Sequence, residues 1–240
     1  MVRLHVNVDH IATVREARRD RFPDPIEWAL AAERAGALGI TCHLREDRRH
    51  IQDADLAALR ERITTKLNLE LSLAPEMIEI ARHSGAEAFC LVPENRAEVT
   101  TEGGLDVLAE RGRLHEIIPR LAQGGAEVSL FIDPDPAQIE ASAEVGAAFV
   151  ELHTGRYANL SGTDRAAELE RLRAGAELSH ALGLRVNAGH GLDYDNVAPT
   201  ALLPHVEELN IGFAIVARSL FVGVERAVEN MHELIQTARP

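Results

Sequence analysis

The fold is decided by the stretch from residue 39 to residue 50, which reads Gly-Ile-Thr-Cys-His-Leu-Arg-Glu-Asp-Arg-Arg-His. Its first four residues form a short apolar run of the kind that makes a buried strand. Alternation along this strand places Thr41, His43 and Arg45 on one face. Because the chain as a whole has a formal net charge of −13, arginines and histidines concentrated at one strand end indicate a local anion-binding site. A charged turn exposed to solvent remains the alternative interpretation.

The same alternation of short apolar strands and helical patterns extends over the whole chain. We expect strands near residues 3–9, 38–44, 66–71, 87–92, 127–133, 147–153, 184–188 and 208–213. We expect helices near residues 25–36, 53–62, 75–84, 114–123, 135–145, 164–182, 194–203 and 217–238. Glycines typical of helix C-termini follow five of these helices, at Gly36, Gly85, Gly124, Gly146 and Gly183.

Strand–helix units of this number and size predict a single α/β domain over residues 1–240, a (β/α)₈ TIM barrel. A doubly wound sheet is the alternative, but no Gly-x-Gly-x-x-Gly motif follows the first strand. Residues 94–113 and 154–165 are longer than minimal loops, so we expect that they hold extra helices or a lid.

Composition limits the classes of partner. The chain is 46% hydrophobic and 26% charged, with a pI of about 5.3, which is typical of a soluble globular protein and argues against nucleic acid or an anionic membrane as a partner. The first residues lack the apolar core of a signal peptide, and no apolar run is long enough to cross a bilayer. Cys42 and Cys90 both fall in predicted buried strands, so we expect neither disulfides nor a zinc site, and a cytoplasmic location.

Several predicted strands carry polar residues on one face, where buried parallel strands are usually apolar throughout. These residues are His5, Asn7, Asp9, Lys66, Asn68, Glu70, Glu151, His153, Asn187 and Asn210, and Gly212 falls on the same face of strand eight. In a barrel this face points inward, and interior charges must be paired or used. We expect Lys66, the only lysine, to be neutralised by Glu70 or a neighbour. Lys66 also starts its strand, at the end opposite a barrel active site. A lysine-imine mechanism is therefore disfavoured.

Two groups of residues suit bound anions. Arginines cluster after the first two strands, at positions 15, 18, 19 and 21 and at positions 45, 48 and 49. Glycines at 189, 191 and 212 follow the last two strands, where barrels usually bind phosphate through backbone N–H groups.

Between the two anion sites, several titratable side chains could transfer protons near neutral pH, namely His43, Glu70, Glu151, His153 and His190. His153 and His190 as metal ligands are the alternative, although the usual ligand spacings are missing, so we expect no metal.

Five motifs resemble the pyridoxine 5′-phosphate synthase family. They are residues 7–13 (Asn-Val-Asp-His-Ile-Ala-Thr), 43–50, 68–70 (Asn-Leu-Glu), 98–104 (Glu-Val-Thr-Thr-Glu-Gly-Gly) and 186–191 (Val-Asn-Ala-Gly-His-Gly). The resemblance runs in order over essentially the whole chain. It implies a TIM barrel with additional helices, assembled as an octamer.

The resemblance also implies a reaction and its residues. The family condenses 3-amino-2-oxopropyl phosphate with 1-deoxy-D-xylulose 5-phosphate to pyridoxine 5′-phosphate, phosphate and water, with no metal or organic cofactor. The catalytic positions carried over by resemblance are His43 and Glu70 as general bases, His190 as general acid and Glu151 as a transition-state stabiliser. Those matched to the deoxyxylulose phosphate are Asp9, His10, Arg45, His50 and Thr100, and those matched to the aminoketone phosphate are Asn7, Arg18, Gly191 and Gly212.

One departure concerns strand eight. The family commonly has Gly-His where this chain has Gly212-Phe213, so a backbone contact to phosphate could survive there but an imidazole contact could not. We keep Phe213 as a binding position. The alternatives to synthase activity are a cofactor-free isomerase of one phosphosugar and a non-catalytic phosphometabolite-binding protein; a second cationic cluster argues against the first, and retention of Glu70 and His190 against the second.

Overall fold

The computed structural model describes residues 1–94 and 103–238. Eight parallel strands close into a barrel in sequence order. The strands are β1 (Arg3–Asn7), β2 (Gly39–His43), β3 (Lys66–Leu71), β4 (Ala88–Leu91), β5 (Glu127–Ile132), β6 (Phe149–His153), β7 (Arg185–Gly189) and β8 (Val206–Ile211). The helices among the described residues are α1 (Asp9–Glu16), α2 (Pro25–Arg34), α3 (Asp53–Arg62), α4 (Pro75–Ser84), α5 (Val107–Leu121), α6 (Pro136–Glu144), α7 (Gly155–Asn159), α8 (Gly162–Ala181), α9 (Val197–Ala201), α10 (Phe213–Val222) and α11 (Val224–Ala238). The predicted TIM barrel with extra helices is confirmed.

Local signals set the helix boundaries that position the strands. The Asp24 carboxylate accepts the Ile26 N–H at 2.8 Å, and Pro25 occupies the first helical position of α2. The five glycines predicted to end helices all have positive φ, from +70° to +104°, so each adopts the left-handed turn that releases the chain toward the next strand.

The largest differences from the predicted strand ends at the carboxyl-end rim are in strands one and eight, which each end two residues early. We expected strand one to reach Asp9, but it ends at Asn7, whose side-chain oxygen accepts the Asp9 N–H at 2.9 Å and turns the chain into α1. We expected strand eight to reach Phe213, but Phe213 instead begins α10. Gly223, with φ +84°, then separates α10 from α11, where we had expected one helix over 217–238. The apolar run through residue 216 hid the change from strand to helix.

The strands separate an apolar outer face from a polar interior. Leu4, Val6, Ile40, Leu67 and Leu69 point outward and are fully buried against the helices. This outer layer is the core of the protein, and it leaves the inward-facing positions available for polar side chains.

The amino end of the interior is an ion-pair network. Lys66 Nζ lies 2.6 Å from Glu127 Oε2 and 3.0 Å from Glu208 Oε1, and Arg3 reaches the same Glu208 oxygen at 2.8 Å. Arg185 pairs with Glu127 at 2.6 Å. Lys66 is thus paired as expected, but with the neighbours Glu127 and Glu208 rather than with Glu70. Lys66 and Glu70 stand four residues apart along β3, which places them toward opposite ends of the barrel. Among the described residues, no helix combines the length and apolar character needed to cross a membrane.

Candidate active site

Strand register brings candidate residues together at the carboxyl-end rim. His43 on β2 is the partner of Glu70 on β3, and Glu70 is in turn the partner of Cys90 on β4. On the opposite side of the closed barrel, His153 on β6 is the partner of Gly189 on β7. The carboxyl ends of all these strands therefore surround one mouth, as a barrel requires.

His43 is held by carboxylates on several sides. Its backbone N–H donates to Asp9 Oδ1 at 2.8 Å, and its ring Nε2 lies 2.9 Å from Glu94 Oε1. Its other ring nitrogen, Nδ1, lies 3.9 Å from Glu70 Oε2. The imidazole is 6% exposed, so its position is fixed by these contacts rather than by solvent. Asn7 Nδ2 donates to the second oxygen of Asp9 at 2.8 Å and holds that carboxylate in place.

Glu70 is a carboxyl group that favours its protonated form. Burial raises its pKa well above the usual value, and the charges of Asp9 and Glu151 raise it further. A carboxylate with a raised pKa is a stronger base once it has lost its proton, so this environment suits proton abstraction.

Glu151 lies at the centre of a hydrogen-bonded chain across the interior. Asn210 Nδ2 donates to Glu151 Oε2, and Thr41 Oγ1 donates to the other end of the same amide at 2.9 Å. Cys90 Sγ contacts Glu151 Oε2 at 3.8 Å. Burial raises the pKa of Glu151 to about 7, against the lowering effect of the Asn210 hydrogen bond. Glu151 can therefore change its charge near neutral pH.

His190 has an uncommon backbone conformation for a residue other than glycine, with φ +82°. The Thr154 hydroxyl donates to the carbonyl oxygens of Gly189 and His190, at 2.7 and 2.6 Å, and so holds the turn. The ring of His190 packs edge-on against His153, with 5.2 Å between centroids. Burial, together with the charges of His153 and His10, lowers the pKa of His190 to about 4, so in the free protein it is neutral at pH 7.

Glycines of the expected phosphate loops lie where the chain packs closely on itself. A Cβ on Gly212 would lie 3.0 Å from Asn7 Cβ, so the residue that follows β8 packs directly against the end of β1. Gly212 is the N-cap of α10, and the N-terminus of a helix favours an anion. Phe213 packs edge-on against His10 at 5.2 Å and is 67% exposed. Gly191 has φ +75° in the loop after β7.

The cationic stretch after β2 divides into two parts. Arg45 is buried, with 2% of its surface exposed and its Nε 3.6 Å from Asp47 Oδ1, and its charge acts on His50. Burial lowers the pKa of His50, which is also held by accepting the Ile51 N–H at Nδ1. Arg48 instead pairs with Asp53 and Glu76, and Arg49 pairs with Asp47.

The arginines after β1 do not form one anion site. Arg15 is buried and makes a bidentate ion pair with Asp55, at 2.7 Å to each oxygen, so it ties α1 to α3. Arg18 is exposed, and within the described part of the chain no contact joins its side chain to the rim cluster. Thr100 lies outside the described residues.

Two residues at the rim escaped the sequence prediction. Glu94 binds His43, and Asp133 Oδ1 lies 2.9 Å from His153 Nδ1. The hydrogen bond from His153 holds the pKa of Asp133 below its usual value. Each comes shortly after the last residue of an apolar strand, so the signal that could have found them is their place at a strand's carboxyl end.

One group of side chains in the described residues has a geometry that could hold a metal ion. Ligand atoms of Asp9, His43 and Glu70 lie within 4.8 Å of one another. His153 and His190, the histidines considered as ligands from the sequence, are not part of that group.

Comparison with protein families places the whole barrel in a known group. The model of the family described as "Pyridoxal phosphate biosynthesis protein PdxJ" matches residues 4–237. A protein of Synechococcus sp. (strain JA-2-3B'a(2-13)) named pyridoxine 5′-phosphate synthase is 54% identical over 97% of this chain and 98% of its own length. A protein of Thioalkalivibrio sulfidiphilus (strain HL-EbGR7) with the same name is 55% identical over 99% of this chain and 97% of its own length.

Solved structures with low sequence identity share the fold. KGPDC from Streptococcus mutans aligns over 100% of both chains with a TM-score of 0.68 and 13% identity. 3-Hexulose-6-phosphate synthase from Salmonella typhimurium aligns over 99% of this chain and 100% of its own, with a TM-score of 0.67 and 15% identity. At these identities the likeness concerns the barrel alone.

Proposed function

Since the chain belongs to the family of pyridoxal phosphate biosynthesis proteins PdxJ, we propose that its rim cluster supplies the acid–base groups of the synthase reaction. The protein is an enzyme of pyridoxine biosynthesis, and the resemblance of its motifs to the pyridoxine 5′-phosphate synthases is confirmed. It condenses 3-amino-2-oxopropyl phosphate with 1-deoxy-D-xylulose 5-phosphate and releases pyridoxine 5′-phosphate, phosphate and water.

The observation that supports the assignment best is the arrangement of His43 and Glu70. His43 Nδ1 lies 3.9 Å from Glu70 Oε2, so both side chains are placed to exchange protons with the same substrate group. Burial also raises the pKa of Glu70. We propose both as general bases.

The reaction needs proton transfers more than any other chemistry. The amine of the aminoketone forms the imine with the ketone of the sugar, so no enzyme lysine is required, in keeping with Lys66 in the opposite network. Enolisation, phosphate loss, ring closure and dehydration each move a proton, which imidazoles and carboxylates can do in turn. We therefore propose that neither a metal nor an organic cofactor takes part.

His190 is the proposed general acid, although it is neutral in the free protein. A bound phosphate dianion beside it favours the imidazolium and raises its pKa, so the acid would form when the substrate arrives. Glu151, with a pKa of about 7, is the proposed stabiliser of positive charge that develops on the imine.

The proposed binding positions fall on two sides of the mouth. For the deoxyxylulose phosphate we propose Asp9, His10, Arg45, His50 and Thr100. For the aminoketone phosphate we propose Asn7, Arg18, Gly191, Gly212 and Phe213. The buried guanidinium of Arg45 and the N-terminus of α10 support these two anion sites.

We also propose that the chain forms one domain and assembles as a homo-oligomer, an octamer by family resemblance, in the cytoplasm. Strands from residue 3 to residue 211 join one closed barrel, which supports a single domain. Leu220 and Phe221 on α10 are 72% and 89% exposed, which supports burial of this helix against another copy. Sedimentation of a monomer at micromolar concentration would contradict the oligomer, and recovery in a membrane or periplasmic fraction would contradict the location.

The experiment that tests the function mixes purified, metal-stripped protein with both substrates and follows pyridoxine 5′-phosphate and inorganic phosphate together. We expect both products to appear in equal amounts. Each substrate alone is the control and should give neither. Absence of product would reject the synthase assignment, and product only after metal is added back would reject the cofactor-free mechanism.

A further inference from the structure

Glu94 joins two donors that come from the end of β2. Its Oε1 lies 2.9 Å from His43 Nε2, and its Oε2 accepts the backbone N–H of Glu46 at 3.1 Å. Only 5% of the side chain is exposed, and it comes directly after Pro93 at the carboxyl end of β4. The carboxylate is thus a bridge between β4 and the residues of the proposed base.

The bridge determines which ring nitrogen of His43 carries the proton. Burial raises the pKa of Glu94, but its contacts with His43 and with the Glu46 N–H give a net downward shift. A glutamate with an ordinary or lowered pKa is ionised near pH 7. An ionised carboxylate can only accept hydrogen bonds. His43 Nε2 must therefore donate, and in the neutral ring Nδ1 then has the lone pair.

That lone pair lies where the proposed chemistry needs it. Nδ1 is the nitrogen that faces Glu70 Oε2 at 3.9 Å, whereas Nε2 faces away toward Glu94. We infer that Glu94 is a positioning residue that fixes His43 in its Nε2-protonated tautomer and so makes Nδ1 the basic atom. This inference rests on the proposed role of His43 as a general base.

The inference predicts that a carboxylate at position 94 and an amide of the same shape give different tautomers of His43. An amide offers one acceptor oxygen, and the Glu46 N–H is a fixed donor that claims it. In the variant Glu94→Gln the side-chain NH₂ group would then face His43 Nε2, which must become the acceptor, and the ring proton would move to Nδ1. In the Ser-His-Asp triad the corresponding amide imposes the wrong tautomer and lowers kcat about 10⁴-fold.

The test compares wild-type protein, Glu94→Gln and the control Glu170→Gln, which changes an exposed carboxylate paired only with Arg173 on α8 among the described residues. Nitrogen-15 NMR of labelled histidines, with the His43 signals assigned by their loss in His43→Gln, reports the tautomer directly. We expect Nε2–H in wild type and in the control, and Nδ1–H in Glu94→Gln. We expect kcat to fall roughly 10²-fold or more in Glu94→Gln with KM little changed.

The two readouts distinguish this inference from the function on which it rests. A wild-type His43 protonated at Nδ1 would overturn the inference without any variant, even if Glu94→Gln did not fold. Unchanged tautomer and kcat in a folded Glu94→Gln would overturn it too. An inactive wild-type protein would instead reject the synthase assignment, while the NMR result would still decide what Glu94 does to His43.

Discussion

At the amino end of the barrel, the Glu208 carboxylate accepts hydrogen bonds from Arg3, Lys66 and Asn187. At the carboxyl end, no hydrogen bond from the described residues reaches the side-chain carboxyl of Glu70, and His43 Nδ1 lies 3.9 Å from its Oε2. Both are interior glutamates on strands of the same barrel. Contact with cations holds the pKa of Glu208 below its usual value despite burial, while burial and neighbouring carboxylates raise that of Glu70.

The contrast teaches which interior charges are structural. A buried charge with several partners is stabilised in one protonation state and is poorly suited to exchange protons. Burying a carboxyl group with few partners destabilises the folded protein. Such groups occur at functional sites, where a bound substrate supplies the missing partner. The two ends thus separate a network of paired charges from the cluster that we propose to transfer protons.

The largest expected effect concerns the carboxyl end. Glu70→Gln keeps the shape of the side chain but removes its ability to take a proton, so turnover should fall by roughly 10²–10⁴-fold. Binding of 1-deoxy-D-xylulose 5-phosphate, measured by calorimetry, should stay near the wild-type value. Glu229→Gln, an exposed carboxylate paired with Arg226 on α11, is the matched control. Turnover in Glu70→Gln equal to that of the control would remove Glu70 from the mechanism.

The next effect concerns the amino end and should be one of stability. Glu208→Gln leaves Lys66 and Arg3 with weaker partners in a buried layer, so the free energy of unfolding should fall by about 3 kcal/mol. Lys66 keeps its contact with Glu127 and Arg3 keeps its contact with Glu207, so the loss of stability should be at the lower end of the range for broken buried ion pairs. Urea unfolding at about pH 7.5, above the ordinary pKa of a glutamate, measures it.

The control for Glu208 is Glu225→Gln, whose partner Arg34 lies 3.5 Å away with both side chains more than half exposed. Its loss should be below about 0.5 kcal/mol. If Glu208→Gln were as stable as this control, or if it lost turnover as severely as Glu70→Gln, the division between the two ends would be wrong.

The sequence predicted much of this because strand alternation is local information. His43, Glu70 and Glu151 point inward because side chains alternate along each strand. Their position along the barrel axis follows from their place near the strand ends. The alternation could not show that Lys66 pairs with Glu208, since strand register between β3 and β8 is set only when the barrel closes.

The rest of the site depended on contacts that no motif encodes. Glu94 contacts His43 from the segment that follows β4, so the contact could not be read from the sequence around His43. Arg15 is paired with Asp55 on α3. The helical start at Phe213 was hidden because apolar residues continue across the boundary between β8 and α10. Helix and strand are hard to distinguish within a short apolar run.

The third effect, which falls to zero at low pH, lies between the two ends, at Glu151, whose pKa burial raises to about 7 from an ordinary 4.5. A carboxyl with a raised folded-state pKa is at no disadvantage below pH 4.5, and it loses stability as the pH rises toward and through 7. Glu151→Gln carries no such group, so relative to wild type it should gain stability between about pH 4.5 and 7.5, on the order of 3 kcal/mol at most.

Urea unfolding of both proteins across this pH range measures the gain for Glu151→Gln. His190 and His5, whose pKa values burial lowers to about 4, act with the opposite sign, since their contribution is lost as the pH falls from 6.5 toward 4. Both histidines are present in wild type and in Glu151→Gln, so their contributions cancel in the difference in the free energy of unfolding. A difference in the free energy of unfolding that stays constant with pH would mean that Glu151 has an ordinary pKa. Glu151 would then resemble the paired charges at the amino end rather than the proposed proton-transfer groups at the rim.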